Sequence, residues 1–211
     1  MEVKSFVFNP IQENTYVLYD NTGEAAIVDA GNFCEEDNLK LSNFISGNSL
    51  KVVSVFNTHN HWDHIFGLDF VQKQYKPSIY CHANDLPWIE NFQTICESYG
   101  FGSRTAPYPS KYYNDGDTVT FGNTTLKVLH TPGHAAGAVS LYCAESKMLF
   151  SGDTLFFNSV GRADLPGGDE SQLIASIKDK LLALPDDTIV LPGHGLRTTI
   201  GYERINNPYL L

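Results

Sequence analysis

The stretch Thr58-His59-Asn60-His61-Trp62-Asp63-His64 follows, after Asn57, the apolar run Val52-Val53-Ser54-Val55-Phe56. Such a run reads as a buried strand, and four side chains able to bind a divalent metal leave its end: His59, His61, Asp63 and His64. Imidazole and carboxylate are the nitrogen and oxygen ligands of borderline cations such as zinc, and imidazole also suits iron. In an extended loop residues i and i+2 point the same way, so His59 and His61 can grip one ion. Asp63 is expected to begin a helix through Ile65-Phe66-Gly67-Leu68-Asp69-Phe70-Val71, in which adjacent residues diverge. Asp63 and His64 are therefore expected to serve a second, neighbouring ion.

Three more segments share one build. His134 ends Thr131-Pro132-Gly133-His134 after the strand-like Thr125-Leu126-Lys127-Val128-Leu129, and Asp153 stands in Ser151-Gly152-Asp153-Thr154 after Met148-Leu149-Phe150. His194 stands in Pro192-Gly193-His194-Gly195 after Thr188-Ile189-Val190-Leu191. Each is an apolar strand, a glycine turn and a ligand-capable residue, and the glycine lets the backbone bend and come close to an ion. One Pro-Gly-His alone is more often just a turn; three segments of this build beside the first cluster mark a metal centre.

Strand signals open the chain at Val3 to Phe8, Thr15 to Tyr19 and Ala25 to Asp29, with turn residues between them. Glu35 to Ser46 has a helical apolar pattern closed by Gly47. Beyond the metal loop, Ser78 to Cys81 reads as a strand and Asn84 to Tyr99 as helical, with Pro87 near its start. Arg104 to Tyr113, rich in proline and tyrosine, reads as a surface connection rather than a lid. Segments 117–121, 125–130, 138–143 and 147–150 alternate with short turns as in an antiparallel meander, and Glu170 to Leu184 is a strong amphipathic helix. Strands and helices thus come twice in similar order, and two sheets with helices outside both would bury them in one domain, residues 1–211.

The ordered series Thr-His-Asn-His-Trp-Asp-His, Thr-Pro-Gly-His, Ser-Gly-Asp-Thr-Leu-Phe and Pro-Gly-His-Gly resembles the metallo-β-lactamase superfamily, and within it the glyoxalase II (hydroxyacylglutathione hydrolase) branch. The resemblance implies an α/β fold, the four-layer αββα sandwich of two mixed sheets flanked by helices, with metals at the edge between the sheets. By position, His59, His61 and His134 match one metal site of the family, Asp63, His64 and His194 the other, and Asp153 the carboxylate that bridges them. Arg162 falls where relatives place a basic residue near glutathione, and its guanidinium could pair with a substrate carboxylate. The chain stops seventeen residues after His194, so the C-terminal helical domain of the long enzymes is expected to be missing and the chain to resemble the short bacterial form. Arg197 and Arg204 are candidates to replace some of its contacts. Asp29, in Val-Asp-Ala-Gly at the end of an apolar strand, is expected to hold a ligand histidine through its second ring nitrogen. His82 and His130 match no ligand motif.

Fourteen basic and twenty-four acidic residues give a formal charge of −10, which argues against a nucleic-acid surface. Two bound dications would offset about four charges locally, so an anionic substrate is not excluded. The N-terminal stretch has no signal-peptide pattern and no later run reaches membrane-spanning length, so a cytoplasmic protein with no membrane partner is expected. Cys34, Cys81, Cys96 and Cys143 show no paired metal spacing and fit a reducing compartment.

Two cations sharing a ligand can hold a water between them and present it as hydroxide to a carbonyl, with Asp63 orienting it or taking its proton. The expected activity is therefore hydrolysis of an acyl thioester such as S-lactoylglutathione, by a monomer or homodimer holding two divalent ions, zinc first and iron or manganese as alternatives. A mononuclear iron persulfide dioxygenase using His59, His134 and Asp153 is the alternative, beside a hydrolase of another ester or lactone. A non-enzymatic metal-binding module is the third class.

Overall fold

The computed structural model describes residues 1–211. Its first sheet is six-stranded, in the order β1 (Glu2–Phe8), β2 (Glu13–Tyr19), β3 (Glu24–Val28), β4 (Lys51–Phe56), β5 (Ser78–His82) and β6 (Lys111–Tyr113). The first three strands run antiparallel, and β3 to β6 run parallel. The parallel links are carried by α1 (Glu35–Gly47), by α2 (Trp62–Ile65) with α3 (Leu68–Tyr75), and by α4 (Leu86–Glu90) with α5 (Phe92–Ser98).

The second sheet, also six-stranded, is built from β7 (Thr118–Phe121), β8 (Thr124–His130), β9 (Val139–Cys143), β10 (Met148–Gly152), β13 (Ile189–Pro192) and β14 (Thr198–Thr199). Strands β7 to β10 form the expected meander, and β13 joins β10 in parallel. Between them lie the hairpin β11 (Leu155–Phe156) and β12 (Ser159–Val160) and the helix α6 (Glu170–Ser176); α7 (Ile200–Asn206) follows β14. Both sheets are mixed and both carry helices on the outside, as the αββα reading requires.

Alternation along the strands produces the layers. In β2 and β3, Tyr16, Leu18, Ala26 and Val28 face inward and meet Val128, Leu141 and Phe150 of the second sheet in one buried cluster. Their neighbours Val17, Ala25 and Ile27 face outward and pack under Leu41, Ile45, Leu68 and Phe92 of the helices. With residues buried on both faces, these strands read as near-continuous apolar runs. Leu149 and Val190 form a third cluster with Leu173, Ile177 and Ile200 outside the second sheet.

Four local expectations are corrected. The helix expected from Asp63 breaks after Ile65 and restarts at Leu68, because Gly67 donates its N–H to Ala30 O at 2.7 Å and is pressed against Asn32. Its N-cap is His61, and the Asp63 carboxylate turns to His194 instead of capping. The helical stretch 84–99 is a short 3-10 turn followed by α4 and α5. Asn91 closes α4 by giving both its main-chain N–H, at 3.1 Å, and its side-chain amide, at 2.7 Å, to Pro87 O. The last residues of the 104–113 connection, Lys111–Tyr113, form edge strand β6, while Arg104 donates to Phe101 O and Phe33 O. Finally, the helix after Glu170 becomes a π-turn over Ile177–Leu181, which keeps both end residues buried.

Candidate metal centre

The ligand-capable residues all follow the C-terminal ends of strands. His59 and His61 follow β4, His134 follows β8, Asp153 follows β10 and His194 follows β13. Topology brings these ends to one edge of the sandwich, and the side chains gather there into overlapping groups. His59, His61 and His134 form one; Asp63, His64 and His194 form another; and Asp153 groups with His59 and His64, ligand atoms lying within 4.8 Å of one another in each group. Asp153 Oδ2 lies 3.6 Å from His134 Nε2 and 3.6 Å from His194 Nε2, midway between the two trios. His194 Nε2 is 3.1 Å from Asp63 Oδ2, and His64 Nε2 is 3.4 Å from Asp153 Oδ1.

The tautomers follow from the partners of the other ring nitrogens. Asp29 follows β3 with φ +52°, a left-handed turn that aspartate tolerates, and its carboxylate lies under the metal loop. Asp29 Oδ1 accepts the Thr58 N–H at 2.7 Å, and Oδ2 accepts both the Thr58 hydroxyl at 2.7 Å and His64 Nδ1–H at 2.9 Å. The Thr58 hydroxyl spends its one proton on Asp29, so its lone pair takes Nδ1–H of His59 at 3.1 Å. His134 donates Nδ1–H to the main-chain oxygen of Arg162 at 2.7 Å. His59 and His134 therefore both turn a bare Nε2 inward, and these two atoms stand 3.2 Å apart.

Two lone pairs at that distance repel unless a cation lies between them. Ligand atoms about 2.1 Å from a tetrahedral ion stand about 3.4 Å apart, close to the separations at this edge. His61 Nε2, His64 Nε2 and Asp153 Oδ1 are buried with no hydrogen-bond partner. These donor atoms fit a pair of borderline divalent ions, with one carboxylate placed to be shared.

Electrostatics divides the trios. Burial lowers His59 well below the ordinary imidazole range, with neighbouring histidines adding to it, and pushes His61 down to about 3. Burial likewise lowers His134, so all three favour the neutral imidazole that metal binding uses. Burial also disfavours charge on His64 and His194, but Asp153 and Asp63 face both and Asp29 faces His64, so both histidines lie above their usual value. The carboxylates demand positive charge there, which protons on histidine or bound cations can supply.

Close backbone approach makes this packing possible. A Cβ on Gly193 would run into Asp153 Oδ1 and lie 2.6 Å from His64 Cε1. Gly152, at φ +49°, lies against Thr58 in the same way. The His194 loop is latched from the first sheet: Asn14 donates its N–H to Gly193 O at 2.7 Å and its side-chain amide to Pro192 O and Gly195 O at 3.0 Å, and Tyr16 donates its hydroxyl to Pro192 O at 2.7 Å. Asp85 ties the other loops together, accepting Asn60 N–H at 3.1 Å and Gly137 N–H at 2.7 Å; burial pushes its carboxyl up to about 6. Glu13, wholly buried beside Asp29 and His64, is raised well above the carboxylate range by burial.

The arginines are engaged differently from the expectation. Arg162 gives its guanidinium to Asp164 through two bonds of 2.6 and 2.7 Å, and it is its carbonyl that meets the metal edge. Arg204 is held by Asp186 and by the carbonyls of Leu182 and Leu184. Arg197 lines a surface cavity with Phe157 and Tyr202. His82 and His130 stack on each other, centroids 4.2 Å apart, and belong to no ligand group. All four cysteines are free thiols, and no helix is long and apolar enough to cross a membrane.

A sequence model of the Metallo-beta-lactamase superfamily matches residues 8–194. A Haemophilus influenzae protein named hydroxyacylglutathione hydrolase GloC is 32% identical over 212 residues, covering 100% of this chain and 98% of the relative. Among solved structures, the BLEG-1 B3 metallo-beta-lactamase superposes with a TM-score of 0.91 at 38% identity, covering 99% of each chain. TTHA1623 in a di-iron-bound form superposes at 0.88 with 36% identity, covering 99% of this chain and 100% of that one.

Proposed function

This chain belongs to the metallo-beta-lactamase superfamily and is a metal-dependent hydrolase, and we propose that within that class it is a dinuclear thioesterase cleaving acyl thioesters such as S-lactoylglutathione. The observation that carries the reading is the placement of Asp153 Oδ2, 3.6 Å from a histidine nitrogen of each trio, where a single carboxylate can serve two ions. His59, His61 and His134 would hold one ion, Asp63, His64 and His194 the other, with zinc, iron or manganese all suited to these donors. Ions held by these residues would make a bound water nucleophilic near neutral pH and polarise a carbonyl.

The chain's own residues do the rest. Asp63, 3.1 Å from His194 Nε2, is kept ionised: burial would raise its carboxyl, but His64 and His194 hold it below the usual range, so it can orient the attacking water and accept its proton. Asp29, Thr58 and the Arg162 carbonyl keep three imidazoles in the metal-binding tautomer. No serine or cysteine nucleophile is needed. A thioester suits the site because its thiolate leaves readily, and the name of the Haemophilus relative supports the same class.

Convergence of the Asp63 trio favours two ions over the one-iron dioxygenase arrangement. The likeness to BLEG-1 favours a second reading, hydrolysis of a β-lactam amide by the same centre. Loss of thioester absorbance with S-lactoylglutathione and with a simple acyl thioester, beside a β-lactam control, tests both. Turnover of the thioesters is expected; protein holding two ions per chain that cleaves neither contradicts the proposal.

A further inference from the structure

Beside the metal edge the helices α4 and α5 and the loop around Pro166 border a half-open cavity of about 380 Å³. Trp88 forms its link to the centre: the indole stands edge-on to the His61 ring, centroids 4.3 Å apart. Ala136, two residues beyond His134, borders the same space. Pro87, Ile95 and Pro166 complete an apolar wall, and the polar lining is neutral, the side-chain amides of Asn84 and Asn91. Those amides already donate to Ala136 O and Pro87 O. No acidic, basic or histidine side chain lines this cavity, in a chain with fourteen basic and twenty-four acidic residues.

The cavity on the Arg162 side, about 440 Å³, is different. It is lined by the carboxylates of Asp164 and Glu170, and its one guanidinium is already paired with Asp164. Neither space offers a free cation to a substrate carboxylate. A neutral, apolar-walled cavity of ligand size, joined to His61 through the Trp88 indole, selects by burial rather than by charge.

We propose that the cavity walled by Trp88, Pro87, Ile95 and Pro166 is an acyl pocket, and that the substrates are thioesters with an uncharged, apolar acyl chain longer than lactoyl. This rests on the thioesterase reading above. Each methylene buried there should improve binding about fourfold. The thiol portion is then recognised weakly, and glutathione is one carrier among several.

The test has two arms. In the first, kcat and KM are measured for N-acetylcysteamine thioesters from acetyl to hexanoyl, with S-lactoylglutathione beside them. KM should fall steeply with chain length, and Ile95→Asp, or Pro166→Glu at the exposed rim, should abolish that dependence while acetyl turnover persists. Active enzyme with a flat chain-length profile overturns the proposal. The second arm needs no turnover. In metal-loaded Trp62→Phe protein Trp88 is the sole indole, and hexanamide should change its emission saturably while S-methylglutathione does not. Ile95→Asp or Pro166→Glu in that background should weaken hexanamide at least tenfold. No saturable response, or one that both variants leave unchanged, overturns the pocket. Absence of any thioester turnover with a normal hexanamide response would instead sink the thioesterase reading and leave the pocket standing.

Discussion

Asp29 Oδ2 lies 2.9 Å from His64 Nδ1 and 2.7 Å from the Thr58 hydroxyl that in turn receives His59 Nδ1–H, so one carboxylate oxygen orients an imidazole in each ligand trio. Asparagine is compatible with the left-handed turn at this position but offers one acceptor oxygen where the carboxylate offers two. Asp29→Asn is expected to weaken metal binding about 10- to 100-fold, as loss of such an outer partner does. Competition against a chromogenic chelator measures it, and unchanged affinity for both ions would remove Asp29 from the account.

Thr58 passes that control on to His59. Thr58→Val keeps the shape but strands Nδ1–H of His59 in a buried setting, at a cost of about 1–3 kcal/mol. Thr58→Ser should retain both ions and near-normal activity, whereas Thr58→Val should lose the ion held by His59. Equal metal content in the two variants would show that the hydroxyl does not matter.

Gly193 leaves no room for a side chain between Asp153 and His64. Gly193→Ala should destabilise the fold by about 1–3 kcal/mol in urea unfolding, through overpacking, and reduce occupancy of the site built on His64 and His194. A variant with wild-type stability and full metal content would show that the centre can shift to admit a methyl group.

Away from the metals, Asp20 joins the two sheets at their far edge. From the turn after β2 it accepts Asn123 N–H at 2.8 Å and the Thr124 hydroxyl at 3.0 Å, besides Thr22 N–H at 3.0 Å. Slight burial would raise its carboxyl, but the Thr22 hydroxyl, which donates to it at 2.5 Å, and these further hydrogen bonds bring it down to about 2. With a folded value below the unfolded one, its stabilisation is present above about pH 4 and lost as pH falls through about 2. Asp20→Asn should therefore cost about 1 kcal/mol at pH 7 and flatten the decline of Tm between about pH 4 and pH 2. A variant with the same acid slope as the parent would assign that decline to other carboxylates.

The layered fold was legible because the strands of both sheets carry their own signals, apolar runs ending in glycine turns. The places where ligand-capable residues leave strands were legible for the same reason: His59, His61, His134, Asp153 and His194 each follow an apolar run. The link from Asp29 to His64 could be anticipated from its place at the end of a strand beside the metal strand. Asn14, Tyr16 and Asp85 could not, because they act by bonding main-chain groups of distant segments, and such bonds leave no mark of spacing or composition. Arg162 shows the limit most clearly. Its guanidinium drew attention as a charged group, while its contribution at the centre is a carbonyl that any residue would supply. The break at Gly67 was likewise hidden, since it depends on Ala30 and Asn32 in the preceding loop.

The central claim is that Asp153 unites two metal sites into one hydrolytic centre. Stripping the protein of metal and titrating zinc, iron or manganese back while following hydrolysis of an acyl thioester tests it most directly. The account predicts activity that rises until two equivalents per chain are bound, and Asp153→Ala protein that neither binds two ions nor turns over. Full activity at one equivalent, or an Asp153→Ala variant that is active with two ions bound, would contradict it.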